Sequence, residues 1–485
     1  MKNKFFKIFL VFFTFTFMAC DDELNDLQPF VEVNPDDFFG SVSSFQNGVD
    51  GIYSQLWNYY SNPGSGLQSI PDIISDNVIQ AQSGRRSNDD YYDYRYVPTT
   101  GGAIALYWSE AYEAINAANI LIRNIDKLPE GDDKDNILGQ ALGARAWAHF
   151  DLARIYGPIP TQSAGANGEL GVVYIKTEDG DTGDPFAQPA RETIGSNYAE
   201  IIDDLERASQ LIGSDNGEGR LNRNGVFGLL SRVYLYNGDY QLAIDAANEV
   251  TTDLASADDL PGVYTDSNNS GIVIELSVNT SSEANFNNVG VLFSQSNADN
   301  DILEFVIDFD FFNSVSTTDV RRDVMQFVGN NNGVEYNAVK KFLGEEGQIN
   351  GRVDIKVLRA AEVLLNKAEA QFELNQQAAA LATLNELRAT RYTPFTAGTE
   401  TGQALEDAIQ FERRVELSFE GHRFFDLKRR GEAIERSNNG DVIDGTGTPP
   451  EVLTIEPGNF RFLFPIPQAE LNANTVIAEQ QNPGY

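Results

Sequence analysis

Apolar residues along much of this chain recur at spacings of three and four, the period of one face of an α-helix. One stripe shows this spacing without interruption: Leu358, Ala361, Leu365, Ala368 and Phe372. Similar patterns predict helices across residues 105–157, 197–250 and 352–392. The stretch 141–157 is apolar almost all round, which predicts a helix that is buried on every side.

The predicted helices come in pairs. Asn237-Gly238-Asp239 interrupts the pattern within residues 225–250, and small alanines follow in the second half. A helix, a tight turn with glycine and a second helix with small residues are typical of tetratricopeptide repeats. Because such pairs cannot bury their apolar faces alone, we expect them to stack. The pattern predicts a mostly α fold that forms a single domain over residues 41–485.

Signals for β-strands are few. GIVIEL (271–276) and FRFLFPIP (460–467) are short β-rich runs. Between about 255 and 350 the chain is rich in Asn, Ser, Asp and Gly, which predicts long loops. We therefore expect a helical core that carries an irregular loop layer.

The N-terminus has a pattern of its own. Three lysines within residues 1–7 precede the uncharged run IFLVFFTFTFMA, so residues 1–19 are predicted to be a signal peptide. Phe17-Met18-Ala19-Cys20 resembles a bacterial lipobox, in which the cysteine is acylated. Cys20 is the only cysteine in the sequence, so it is the predicted lipid attachment site, the alternative being an incidental cysteine. Residues 20–40 are polar and broken by proline, as expected for a tether.

The charge of the chain excludes some ligands. The sequence holds 72 acidic residues against 35 lysines and arginines, for a formal charge of −37. Removal of three lysines with the signal peptide gives −37 − 3 = −40. This argues against nucleic-acid binding, which needs basic side chains that neutralise phosphates.

The sequence also lacks common catalytic motifs. It contains no G-x-S-x-G, no H-E-x-x-H and no glycine-rich loop with a Walker lysine. Both histidines, His149 and His422, lie in strongly patterned segments and are predicted to be structural. The acidic loop 178–184 has the composition of a calcium site but not the spacing of an EF-hand, so a solvated turn is the preferred interpretation. We predict no enzyme activity, cofactor or metal.

Four stretches of the sequence resemble one known family. They are GVDGIYSQLW with SDNV and YWSEAYEAINAANILI; ALGARAWAHFDLARIYGPIP; VLRAAEVLLNKAEA with LNELRA; and FERRVELSFEGHRFFDLKRRG with LFPIPQAELNANTVIAEQQNPGY. The family is SusD/RagB, the outer-membrane nutrient-binding lipoproteins of Bacteroidota. The resemblance covers nearly the whole mature chain in the family's order. It implies a SusD-like stack of tetratricopeptide-type helix pairs with a loop-rich layer and a few short β-strands.

The resemblance also implies a function. Family members face the outside of the cell, bind a nutrient and pair with a SusC-like TonB-dependent transporter. Asp21, Asp22 and Glu23 directly after the anchor resemble the family's surface-export tag. The implied ligand is an oligosaccharide, with a peptide, as in the RagB branch, as the alternative. A surface glycosidase is a third hypothesis from a different class, since paired carboxylates can cleave glycosidic bonds.

Aromatic residues in polar segments are candidates for the ligand site, because flat rings stack on the C–H faces of sugars. Trp57 lies in one cluster. Tyr91, Tyr92, Tyr94 and Tyr96 form a second cluster, YYDYRYV, after the polar stretch QSGRRSNDD. If this loop is extended, alternation places Tyr92, Tyr94 and Tyr96 on one exposed side. The alternative is that some of them pack beneath the loop.

Two further sets of charged residues lie in the segments that resemble the family. Asp76 belongs to the S-D-N segment, and we expect it either to contact ligand or to cap a helix. Glu412 and Glu416 lie beside an apolar helix face, where carboxylates are costly unless they are paired. We predict a structural ion network, for which Arg413, Arg414 and Arg423 are available partners.

Overall fold

The computed structural model describes residues 38–62, 65–176, 186–278, 292–296, 301–344 and 353–485. The predicted signal peptide, Cys20, the acidic residues 21–23 and the acidic loop 178–184 lie outside these residues. Within them, no helix is both long and apolar enough to cross a membrane.

Helices dominate the described chain. In chain order they are α1 (Val42–Tyr60), α2 (Ile70–Ile73), α3 (Asp89–Tyr92), α4 (Ala103–Asn124), α5 (Asp132–Tyr156), α6 (Ile194–Leu211), α7 (Arg223–Asn237), α8 (Tyr240–Glu249), α9 (Leu260–Val263), α10 (Phe309–Ser314), α11 (Arg321–Met325), α12 (Ala360–Glu373), α13 (Gln377–Ala389), α14 (Gln403–Leu417), α15 (Arg423–Arg430), α16 (Gln468–Ala473) and α17 (Thr475–Ala478).

The described strands form five separate antiparallel pairs: β1 (Val78–Gln80) with β5 (Phe305–Ile307), β2 (Ile272–Leu276) with β8 (Ile355–Arg359), β3 (Ser294–Ser296) with β4 (Asp301–Leu303), β6 (Gln326–Asn331) with β7 (Val334–Val339), and β9 (Ile434–Glu435) with β10 (Thr454–Ile455). The mostly α fold class predicted from the sequence is confirmed.

Long helices pack in sequence order around the main apolar core. Helix α1 packs on α4 and α5, α5 on α6, α6 on α7, and α7 on α8. The central helix α5 is buried along its whole C-terminal half, residues 141–156, as predicted. At the end of α7, Gly238 has φ 87°, a left-handed conformation that glycine adopts without a Cβ penalty. This lets α8 fold back on α7 as the pattern predicts.

The second repeat region differs at its start from the prediction. Residues 355–359 form strand β8 rather than the first turns of a helix, and α12 begins only at Ala360. The strand pairs with β2, which confirms GIVIEL as a strand. Because β8 is buried on both faces, its apolar residues cannot be distinguished from a buried helix by spacing alone.

The other predicted strand does not form. Residues 460–462 make a 3-10 turn, and 463–467 pair with no strand. Pro465 and Pro467 cannot donate to a ladder. The remaining backbone groups find individual partners, with Phe464 N donating to Ile155 O at 3.2 Å and Ile466 N to Gln481 Oε1 at 2.9 Å. The alternating apolar side chains Phe462, Phe464 and Ile466 are buried in the main core instead.

The segment 255–350 is more ordered than its composition suggests. Where described, it contains α9 to α11 and β2 to β7. The prediction of long loops there is therefore wrong in part. These elements are short, and two of the strands, β2 and β5, pair with strands outside the segment, so local composition gives no signal for them.

Candidate functional site

The second tyrosine cluster does not form an exposed, extended loop. Residues 89–92 make the helical turn α3, and Tyr91, Tyr92, Tyr94 and Tyr96 are each no more than 5% exposed. The expectation of tyrosines on one open side is therefore wrong. Side chains in a helical turn do not alternate between two faces as they do in a strand. The tyrosines instead pack beneath their own loop, which is the alternative stated in the sequence analysis.

Each buried hydroxyl in this cluster but one has a backbone partner. Tyr91 donates to Gly101 O at 2.7 Å, Tyr94 to Ile74 O at 2.5 Å and Tyr96 to Arg461 O at 2.5 Å. Burial raises the pKa of Tyr91 and of Tyr94 to about 12. The tyrosines therefore join the loop to the core, and their predicted ligand contact stays a prediction.

Replacing Tyr96 with phenylalanine should lower the free energy of unfolding by about 1 kcal/mol, because the carbonyl of Arg461 loses its donor. If Tyr96 serves only to hold the loop on the core, ligand affinity should not change. Denaturant unfolding and binding assays measure the two effects. Tyr198→Phe is the matched control, since this fully buried hydroxyl has no hydrogen-bond partner and should tolerate the change. A loss of ligand affinity without a loss of stability would support the predicted contact between Tyr96 and the ligand.

Trp57 and Asp76 are likewise held by protein partners. The indole Nε1 of partly buried Trp57 donates to Ser277 O at 3.0 Å. Asp76 accepts both Nε and Nη2 of Arg423 at 2.7 Å. Burial opposes ionisation of Asp76, but Arg414 and Arg423 outweigh it and hold its pKa below the usual range. Asp76 caps no described helix, and ligand binding by either residue stays a prediction.

The polar half of the same segment lines an open cavity of about 650 Å³. Five charged side chains line it: Arg85, Arg86, Asp89, Asp90 and Arg95. Ser65, Ser87, Asn88 and Thr100 add neutral polar groups, and Leu292 and Tyr91 are the only residues with large apolar side chains among the described lining residues. The cavity lies beside the segment singled out from the sequence, but mostly polar and charged side chains line it, and Tyr91 is the only one of the four tyrosines among its described lining residues.

A buried glutamate holds the cavity loop. Glu304, fully buried between β4 and β5, accepts Nη2 of Arg85 at 2.8 Å, the backbone N–H of Ser87 at 2.8 Å and the Ser87 hydroxyl. A Cβ on Gly84 would lie 2.4 Å from the carbonyl oxygen of Leu303. The backbone of the loop therefore packs directly against the backbone of β4, with no room for a side chain at residue 84. Sequence reasoning missed Glu304, which lies more than 200 residues from the loop.

The loop also contains strained backbone. Arg86 and Tyr94 have φ values of 57° and 56°, in a region where residues with a Cβ pay roughly 1–2 kcal/mol. Such strain persists where surrounding contacts enforce it, and it clusters at ligand sites. Both residues lie in the stretch 85–95 that borders the cavity, and Arg86 lines the cavity itself.

A separate charged network lies inside the helical core. Glu416 is bound by Arg391, Arg359 and Arg321, and Glu412 by Arg321 and Arg388. The predicted structural network is present in the described chain, but its predicted partners are wrong. The predicted partners bind aspartates instead: Arg413 pairs with Asp426, and Arg414 and Arg423 both pair with Asp76.

The two histidines are buried within the core. His149 Nδ1 lies 3.0 Å from Arg145 O, its ring stacks on Tyr174 at 3.8 Å, and Ile175 N donates to its Nε2. Burial lowers the pKa of His149 and of His422 well below the usual value. Both histidines have the structural surroundings predicted for them.

The protein consists of stacked helix pairs and a loop layer that carries a polar cavity. It is therefore a helical-repeat protein with an open cavity large enough for a small ligand. Comparison with known families then identifies it more closely. A family profile described as the SusD family matches residues 323–485, and one described as "Starch-binding associating with outer membrane" matches 29–235. The chain belongs to the SusD/RagB family, which confirms the resemblance found in its sequence.

Individual relatives agree with this assignment. SusD-like protein P2 of Formosa agariphila is 23% identical, with 99% of each chain covered. The structure is similar to a SusD superfamily protein from Bacteroides thetaiotaomicron, with a TM-score of 0.79, 28% identity, and coverage of 91% of this chain and 100% of the other. A laminarin-binding SusD-like protein shares the fold, with a TM-score of 0.67, 20% identity, and coverage of 91% and 99%.

Proposed function

We propose that this protein is a surface-exposed outer-membrane lipoprotein that binds an oligosaccharide and delivers it to a TonB-dependent transporter. The observation that carries the binding role is the open polar cavity of about 650 Å³. Its volume lies within the roughly 300–1,000 Å³ typical of small-molecule sites. We assign it no catalytic step.

The cavity has the groups that a sugar requires. Guanidinium N–H groups donate to hydroxyl oxygens, and carboxylates accept from hydroxyl hydrogens. Arg86, Asp90 and Arg95 keep 42%, 60% and 49% of their side-chain surface exposed, so these groups can reach a ligand. The laminarin-binding SusD-like protein supports the proposal, since it shares this fold.

Replacing Arg86 with methionine should weaken oligosaccharide binding by about 1–2 kcal/mol, because hydrogen bonds from a charged donor are lost. Isothermal titration with the best oligosaccharide from a glycan array measures the effect, and circular dichroism checks the fold. Arg322→Met is the matched control, since this partly exposed arginine lies outside the cavity and its side chain makes no recorded hydrogen bond to a described residue. Equal affinities of the two variants would place the site elsewhere.

Binding of peptides alone would favour the RagB-like function, and release of reducing ends from a polysaccharide would indicate a glycosidase.

The anchor and the partner rest on the sequence and on the family. Gentle detergent extraction of a tagged protein should recover a transporter-sized barrel in near-equal amount, and the Cys20→Ala variant should leave the membrane. Recovery of the tagged protein alone, under conditions that preserve other membrane complexes, would contradict delivery to a transporter. A Cys20→Ala variant that stays in the membrane would contradict the lipid anchor.

A further inference from the structure

We infer that the cavity selects an uncharged oligosaccharide over one that carries sulfate or carboxylate groups. The inference rests on the proposed function, since it names the ligand class of the same cavity. It depends on how the charges in and around the cavity compensate one another.

Every guanidinium that lines the cavity already has a carboxylate partner among the described residues. The nearest N–O distances are 2.8 Å for Arg85–Glu304, 3.3 Å for Arg86–Asp89 and 2.5 Å for Arg95–Asp93. Asp90 adds a fourth carboxylate, 3.5 Å from Arg95. Three positive charges therefore face four negative charges, and the described part of the site has no excess cation with which to bind an anion.

An anionic sugar would meet repulsion here. The carboxylate of Asp90 is the most exposed of the charged groups in these pairs, at 60% of its side-chain surface. A sulfate or uronate that approached Arg95 would come close to Asp90 as well. The chain as a whole adds to this repulsion, since its formal charge is −37.

An uncharged sugar gains from the same arrangement. Each ion pair places N–H donors beside a carboxylate acceptor, and a sugar hydroxyl is both donor and acceptor. Within the described chain, Nη2 of Arg86 and of Arg95 makes no recorded hydrogen bond, so each can donate to a ligand without breaking its ion pair. Hydrogen bonds to charged groups are stronger than those between neutral groups.

Ring stacking contributes little in this cavity. Tyr91 is the only aromatic residue among the described lining residues, and it is 4% exposed. Its ring already stacks on Tyr96, with centroids 5.7 Å apart. Recognition therefore depends on hydroxyl contacts, which a neutral, hydroxyl-rich ligand provides at every ring.

The test is a glycan array that holds neutral oligosaccharides beside uronate-containing and sulfated ones, probed with the full mature chain and followed by titration at low and high salt. We expect the tightest ligands to be uncharged and their affinity to be nearly independent of salt, since no counterion is displaced. Tightest binding to sulfated or uronate oligosaccharides, weakened by salt, would overturn this inference and leave the proposed function intact. Binding to peptides and to no glycan would overturn both.

The Asp90→Asn variant tests the cause. This change keeps the shape of the side chain and removes the exposed charge, so affinity for an anionic oligosaccharide should rise by about fivefold, the size of one Coulomb contact near 4 Å in water. Affinity for a neutral oligosaccharide should change less. An exposed acid outside the cavity, Glu249, provides the control as Glu249→Gln, which should leave both affinities unchanged. No shift in relative affinity for Asp90→Asn would contradict the repulsion on which the inference depends.

Discussion

Replacing Glu416 with glutamine should lower the free energy of unfolding by about 3–5 kcal/mol, as expected when one partner of a buried ion network is removed. Glu416 is 1% exposed and lies 2.9 Å from Arg391 Nε, 2.7 Å from Arg359 Nη1 and 3.3 Å from Arg321 Nη1. Burial disfavours its charge, but these arginines outweigh it and hold the pKa of Glu416 well below the usual value. Glutamine would leave the guanidiniums buried without that negative charge.

Urea unfolding of the mature chain measures this loss. Glu249→Gln is the matched control, because Glu249 pairs with Arg223 at the surface, where both side chains are about half exposed. Exposed pairs contribute only about 0–1 kcal/mol, so the control should unfold almost as the parent does. Similar effects of the two substitutions would show that the network around Glu416 does not stabilise the fold.

Replacing Arg436 with methionine should cost about 3 kcal/mol, because three buried carbonyl groups would lose their donor. The guanidinium of Arg436 donates to Ser75 O at 2.9 Å, Tyr92 O at 2.7 Å and Ile73 O at 3.1 Å. It also lies 4.0 Å from the ring centroid of Tyr92, which adds a cation–π contact. Arg436 thereby connects α2 and α3 to the C-terminal part of the chain.

Two further variants make this result specific. Arg436→Lys keeps the charge but not the planar fork, so it should recover only part of the loss. Arg322→Met removes a partly exposed side chain that makes no recorded hydrogen bond to a described residue, and it should be nearly neutral. If Arg436→Lys were as stable as the parent, charge alone would account for the contribution, and the three-carbonyl explanation would be wrong.

The candidate site shows how much of a cavity a sequence pattern can predict. The polar stretch QSGRRSNDD and the tyrosines after it directed attention to the segment that borders the cavity. Composition suggested that the tyrosines face outward, whereas the structure buries all four, two of them within α3, and leaves Arg85, Arg86 and Asp90 at the cavity. A single helical turn of four residues leaves no periodic signal, so its side-chain directions cannot be read from spacing.

The sequence pattern likewise did not reveal which distant residues form ion pairs and hydrogen bonds with one another. Glu304 holds Arg85 and Ser87 across more than 200 residues, and Arg359 reaches Glu416 across 57. The sequence indicated that Glu412 and Glu416 need partners, since a carboxylate beside an apolar stripe is costly when buried. It assigned nearby arginines, and the structure supplies distant ones.

The sequence by itself determined the helical class, the buried helix α5, the glycine turn after α7 and the family. Each of these depends on a local period or on a long motif, which a linear pattern records. Only the tertiary structure decided that residues 355–359 form a strand, that 460–467 do not, and which charged groups meet at the cavity. Strand pairing and ion pairing join residues far apart in the chain, so their energies depend on packing that no local window contains.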